Sequence, residues 1–103
     1  MKSAQTESAI KKDIKRWLTS RGYYWSSLDA GTVGHRMGDP DMVACIAGKY
    51  VAIEGKTPVG RLSPRQREVR DLIQNAGGIY CVARSVEDVR QVEISIISAS
   101  EAP

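Results

Sequence analysis

The chain has 103 residues, of which 42% are hydrophobic and 26% are charged, and its formal net charge is +3. This length suits one domain with a single modest core, and the composition excludes a disordered chain as the default. We therefore interpret residues 1–103 as one domain, with residues 1–5 and 98–103 flexible. No apolar run approaches membrane-spanning length and the N-terminus lacks a signal-peptide segment, so we expect a cytoplasmic protein with no membrane partner.

The net charge, the two cysteines and the single histidine limit the kinds of partner and metal site that the chain can have. The mild basic balance, with a pI near 9.0, suits a polyanionic partner. Cys45 and Cys81 lie in apolar runs typical of strands, which predicts two buried free thiols. A single histidine, His35, excludes a His-rich metal cluster. It lies with Arg36 in a glycine-rich loop, where an exposed loop residue and a role near a substrate are both open.

The first predicted element is a helix over residues 6–20, capped by Thr6 and with Glu7 in its first turn. Its apolar stripe has helical spacing and consists of Ile10, Ile14, Trp17 and Leu18. The opposite face carries Lys11, Lys12, Lys15 and Arg16. Taken singly, these basic residues are typical of a solvated face, and as a cluster they are consistent with phosphate contacts.

Three strands are predicted next, at residues 23–28, 41–46 and 50–56, with Gly48-Lys49 available for the turn between the last two. Few polar residues interrupt the paired runs, as expected for strands covered on both faces. Side chains alternate along a strand, so Glu54 and Lys56 share one face. Asp41 enters the neighbouring strand, and we expect these three charges to converge at one edge of the sheet.

The three converging charges have two interpretations, a surface salt bridge and a metal site. A surface salt bridge of Lys56 with Asp41 or Glu54 is worth about 1 kcal/mol at most. Two carboxylates aimed at one spot repel each other unless a cation neutralises them. Carboxylate oxygens select a hard ion, Mg²⁺ or Mn²⁺. An ion beside a lysine is suited to phosphodiester hydrolysis, so we favour a metal site.

The second half of the chain begins with a strong helix start, with Ser63 as N-cap, Pro64 at the first helical position and Gln66 completing a capping box. Four arginines surround this start: Arg61, Arg65, Arg67 and Arg70. They form an anion-binding surface or pair with Glu68 and Asp71. A strand at 79–83 and a helix at 85–92 follow, and residues 93–97 extend that helix or form a strand. The order predicts an α/β fold with a mixed sheet between helices.

The motifs resemble a known family at this point. Pro40-Asp41 followed by Glu54-Gly55-Lys56, in an α-β-β-β-α-β order, resembles the PD-(D/E)xK nuclease superfamily. A longer set of residues, which includes Gly38, Gly48, Thr57, Gly60 to Gln66 and Ser85 to Asp88, is similar to its VRR-NUC branch. The resemblance covers about residues 7–92. It implies a restriction-endonuclease-like α-β-β-β-α-β core with a mixed central sheet flanked by helices.

The resemblance also implies roles for particular residues. Asp41, Glu54 and the backbone carbonyl of Gly55 would bind the metal, and Lys56 would be the catalytic lysine. Glu7 matches an acidic position that often points into such sites, and a role in favouring the helix dipole is equally open. Gln66 matches a glutamine that orients water or phosphate, and its capping role is equally open. Position 55 is more usually bulky and apolar in this family, so Gly55 marks a bulge or a close approach of the backbone to a ligand.

The expected function is that of a Mg²⁺- or Mn²⁺-dependent, structure-selective DNA endonuclease without a small-molecule cofactor. Small stand-alone members of this branch, found in phages and bacteria, resemble Holliday-junction resolvases. A two-fold symmetric junction needs two nicks, which a C₂ homodimer would supply. The alternatives are a flap or splayed-arm nuclease in phage replication or DNA repair and a non-catalytic module that binds branched DNA. The expected DNA contacts are Lys11, Lys15, Arg61 and Arg65.

Overall fold

The computed structural model describes residues 5–29 and 34–101. The flexible ends predicted at residues 1–4 and 102–103 lie outside the described residues. The elements are α1 (Glu7–Ser20), β1 (Trp25–Ser27), β2 (Met42–Ile46), β3 (Lys49–Gly55), α2 (Pro64–Asn75), β4 (Ile79–Ala83) and α3 (Val86–Ser100). This order confirms the predicted α-β-β-β-α-β core and the final helix predicted after it. Within the described residues, none of the helices is long and apolar enough to cross a membrane.

The strands form one mixed sheet in the order β1-β2-β3-β4. The β1/β2 and β2/β3 pairs are antiparallel, and β3 pairs with β4 in parallel. The α1 and α3 helices share the buried face of the sheet, where Ile14, Ile53 and Val89 belong to one core cluster. The α2 helix lies against the opposite face, where Gln66 reaches Glu54. The confirmed architecture is therefore a mixed sheet between helices.

Coverage of the opposite face is uneven across the sheet. The β3 segment from Val51 to Gly55 is buried throughout, as expected for a strand covered on both sides. In β2, by contrast, Cys45 is exposed, because α2 packs on β4 and leaves the outer face of β2 open. The prediction of a buried Cys45 thiol is therefore wrong. The prediction for Cys81 is confirmed, since this residue is buried in the core.

The turn between β2 and β3 consists of Ala47-Gly48 and not of Gly48-Lys49. Ala47 has φ 49° and Gly48 has φ 86°, and Lys49 already pairs with Ile46. Positive φ at both central residues matches the right-handed twist of the flanking strands, which explains why this hairpin closes one residue earlier than predicted.

The last helix is longer than the sequence suggested. It continues through Ser100, so residues 93–97 extend the helix, and the interpretation of Ser98–Ser100 as a loose tail is wrong. Val89, Glu93 and Ile96 are its buried residues at helical spacing. Glu93 stands in the core-facing stripe because Arg21 and Tyr23 bind its carboxylate. The apolar spacing of the helix was hard to recognise in the sequence, because the charged Glu93 occupies one of its core positions.

Candidate active site

Asp41 and Glu54 are brought together by the register of the β2/β3 hairpin. Met42 pairs with Ile53, so the preceding Asp41 lies opposite Glu54 at the end of the ladder. Both are buried, with 7% of Asp41 and 2% of Glu54 exposed. The backbone N–H of Gly55 donates a 2.8 Å hydrogen bond to Oδ2 of Asp41. A residue's N–H and C=O point to the same side of a strand, so the Gly55 carbonyl is directed toward the side of Asp41.

Glu7 completes a group of three carboxylates. It lies on the first turn of α1, and Glu7, Asp41 and Glu54 each offer an oxygen within 4.8 Å of the others. Oε1 of Glu54 is buried and has no hydrogen-bond partner in the described part of the chain. Burial, together with the Asp41 carboxylate, raises the pKa of Glu54 to about 8. Three clustered carboxylates, two of them buried and one with an unpaired buried oxygen, form a donor set that fits a hard divalent cation.

Lys56 follows β3 and approaches the same carboxylate group. Its backbone N–H donates to the carbonyl of Ala83, which continues the pairing with β4 for one more residue. Its Nζ lies 3.7 Å from Oε2 of Glu54, and its side chain is 14% exposed. The strand alternation that placed Glu54 and Lys56 on one face thus brings their charged ends together at the mouth of a cleft.

Gln66 fills the capping role that the sequence left open, and its side chain also contacts Glu54. Its backbone N–H bonds to the Ser63 hydroxyl, and its Oε1 accepts from the Ser63 backbone N–H at 2.8 Å, which completes the capping box. Its Nε2 donates to Oε2 of Glu54 at 3.2 Å. One side chain therefore both starts α2 and contacts the carboxylate group.

The cleft around these residues has a volume of about 590 Å³. Its lining consists of Glu7, Lys11, Asp29, His35, Met37, Gly38, Asp39, Asp41, Glu54, Lys56 and Gln66. His35 bonds through Nδ1 to the carbonyl of Leu28 at 2.6 Å, so this histidine borders the cleft. Asp29 and Asp39 were missed from the sequence, because an acidic residue in a glycine-rich loop has no periodicity to indicate where it points.

The basic residues expected to contact DNA divide into two groups. The Lys11 ammonium lies in the cleft, 3.1 Å from Oδ2 of Asp29 and 3.6 Å from Oδ1 of Asp41. The other three are outside the cleft lining. Lys15 lies over the Trp25 ring, 5.5 Å from its centroid, and Arg65 pairs with Glu68 at 2.8 Å. Arg61 is exposed.

Comparisons with known proteins support the fold. One solved structure, named "VRR_NUC domain", superimposes with a TM-score of 0.69 at 22% sequence identity and covers 84% of this chain and 91% of its own. A second, named "VRR_NUC domain protein", has a TM-score of 0.67 at 22% identity, with coverages of 93% and 88%. No family model matches the chain, and no curated protein matches it. At this identity the likeness establishes the fold: the chain has the fold of the VRR_NUC domains.

Proposed function

We propose that the protein is a nuclease that hydrolyses phosphodiester bonds in DNA with Mg²⁺ or Mn²⁺. The observation that supports this function best is the group of half-buried Glu7 with buried Asp41 and Glu54, in which Oε1 of Glu54 lacks a partner among the described residues. A lysine and a glutamine border the same group. Carboxylates that stay buried without full pairing are costly, and a hard cation would remove that cost.

Each residue has a role in this reaction. Asp41, Glu54 and the backbone carbonyl of Gly55 would hold the ion, with Glu7 beside them. When bound, such an ion polarises a phosphoryl group and lowers the pKa of a water molecule. Lys56 donates a hydrogen bond to the attacking water or to the negative charge that develops on the phosphate. Gln66 orients Glu54 and the water near it.

The substrate in this proposal is branched DNA. A Holliday junction has two-fold symmetry and needs two cuts, and a C₂ homodimer of a one-site domain supplies two sites in a matching arrangement. Lys15, Arg61 and Arg65 lie outside the cleft, where they would bind phosphates along the arms. Phosphate contacts position a duplex without reading its sequence, so recognition would depend on DNA shape. Binding should weaken steeply as the salt concentration rises.

The test is a cleavage panel of synthetic four-way junctions, flaps, splayed arms and linear duplex with Mg²⁺, Mn²⁺ or EDTA. We expect symmetric junction cuts that vanish in EDTA and fall at least about 100-fold in Lys56→Ala. Lys49→Ala is the matched control, because Lys49 is exposed at the far end of β3. Faster cleavage of flaps would reassign the substrate to the flap nuclease class. Metal-independent binding without cleavage of any substrate would identify a binding module and reject the nuclease.

A further inference from the structure

The side chain of Lys11 packs against the β3 strand at Gly55. Lys11 lies one turn after Glu7 on α1, on the helix face turned toward the cleft. A Cβ atom added to Gly55 would lie 2.9 Å from Cγ of Lys11, closer than side chains tolerate. The lysine stem therefore occupies the space that a side chain at position 55 would need. The backbone of Gly55 lacks a positive φ, so its conformation does not require glycine.

The ammonium group at the end of this stem lies between two carboxylates. Its Nζ is 3.1 Å from Asp29 and 3.6 Å from Asp41, and the side chain is only 21% exposed. The contact with Asp29 is a hydrogen-bonded ion pair. The contact with Asp41 is too long for a hydrogen bond and acts through charge. Because both groups are largely withdrawn from water, this Coulomb interaction is stronger than it would be at the surface.

We propose that Lys11 is the resident counter-cation of the carboxylate group and that Gly55 is present to admit it. This inference rests on the proposed function in one respect, namely that the group binds a divalent ion. The orientation of Asp41 does not depend on the lysine, because the Gly55 N–H holds Oδ2 at 2.8 Å. In the metal-free protein, the lysine charge instead offsets the repulsion between the carboxylates. When a metal ion enters, the same charge repels it. Lys11 therefore stabilises the metal-free fold and weakens metal affinity.

The first test removes the charge and keeps the stem. In Lys11→Met, we expect Mn²⁺ to bind about tenfold more tightly by calorimetry, the scale on which residues around metal ligands act. In EDTA we expect a lower melting temperature than in the wild type, and saturating Mn²⁺ should raise it by more. Lys12→Met is the matched control, since Lys12 is the exposed neighbour on the same helix. It should change neither quantity.

The second test examines the pairing with Gly55 by a double-mutant cycle of thermal stability in EDTA. Gly55→Ala should destabilise the protein that carries Lys11, because the new methyl group meets the lysine stem. In the Lys11→Ala background the nearest remaining contact is Oδ2 of Asp41 at 3.5 Å, an ordinary van der Waals distance. There the alanine should be neutral or stabilising, since it lowers the entropy of the unfolded chain. Equal destabilisation in both backgrounds would overturn the pairing.

A DNA titration in EDTA distinguishes this role from a DNA contact. Unchanged metal affinity in Lys11→Met, with weaker DNA binding and a salt slope reduced by about one, would assign Lys11 to a phosphate and overturn the proposal. Failure of the proposed function has a different signature, because the wild-type protein would then bind no Mn²⁺. That result would reject the effect of Lys11 on metal affinity, while the melting temperature of Lys11→Met in EDTA would still test the counter-cation role and the cycle with Gly55 would still test the structural pair.

Discussion

The Gln66 side chain joins the start of α2 to the carboxylate group, through a 3.2 Å hydrogen bond from Nε2 to Oε2 of Glu54. Its other end accepts from the Ser63 backbone at 2.8 Å. The helix cap and the site thus share one amide group, and the same side chain that fixes where α2 begins also fixes one oxygen of Glu54.

Substitutions at Gln66 should separate its two contributions. Gln66→Ala removes both, and we expect a loss of about 1 kcal/mol in the free energy of unfolding, the usual cost of a lost cap. Gln66→Glu retains the capping box, so at pH 6, where Glu54 is protonated, its stability should match the wild type. Both variants should cleave DNA at least about tenfold more slowly, since neither donates to Glu54. Urea denaturation and a junction-cleavage assay measure the two effects, and a normal rate in Gln66→Glu would contradict the second contribution.

Glu54 should make the stability of the metal-free protein fall as the pH rises. Its pKa is about 8 in the folded protein, raised from 4.5 by burial and by Asp41. Between pH 4.5 and pH 8 the folded state binds more protons than the unfolded state. The contribution of Glu54 to the stability of the folded protein is therefore complete below pH 4.5 and is lost as the pH rises through 8. In EDTA at pH 8.5, Glu54→Gln should therefore be more stable than the wild type by about 1 kcal/mol or more. Denaturation curves at pH 6 and pH 8.5 measure this difference, and parallel pH profiles for the two proteins would refute it.

Glu93 should show the opposite pH dependence. Burial opposes its charge, but hydrogen bonds from Tyr23 and Arg21 outweigh burial and lower the pKa of Glu93. Its contribution is therefore present above the pKa of the unfolded state and lost as the pH falls through the folded-state pKa. Glu93→Gln should cost about 1.5 kcal/mol of unfolding free energy at pH 7, and the difference from wild type should shrink toward pH 3. Glu87→Gln, in an exposed ion pair with Arg90, should have little effect at either pH.

The two cysteines should differ in reactivity toward a thiol reagent. Cys45 is exposed, whereas Cys81 is buried, and burial raises the pKa of the Cys81 thiol to about 12. At pH 8 we expect the native protein to expose one fast-reacting thiol and the denatured protein two. Cys45→Ser should remove the fast phase. The phases are followed by the absorbance of the coloured product that a disulfide reagent releases when it reacts with a thiol. Fast labelling that persists in Cys45→Ser would show that β4 opens readily.

Local rules in the sequence predicted much of this fold. The start of α2 follows from Ser63, Pro64 and Gln66, because a capping box involves only neighbouring residues. The apolar stripe of α1 lies on its buried face, with Ile10, Ile14 and Leu18 in the core. Strand alternation placed Glu54 and Lys56 on one face. Periodicity, caps and turn residues along the chain predicted the α-β-β-β-α-β order that the structure confirms.

Packing between distant segments decided the rest. Lys11 was expected on the surface, but it enters the cleft through contact with Asp29, 18 residues away. The sequence did not predict that Glu93 is a core residue of a helix, because its partner Tyr23 lies 70 residues earlier. Cys45 is exposed because α2 packs on β4 and reaches β3 but leaves the outer face of β2 open. The sequence by itself thus determined the kind and order of the elements and the carboxylate–lysine motif, whose causes are local. Only the tertiary structure decided which charges and thiols become buried, because burial depends on which helix covers each face.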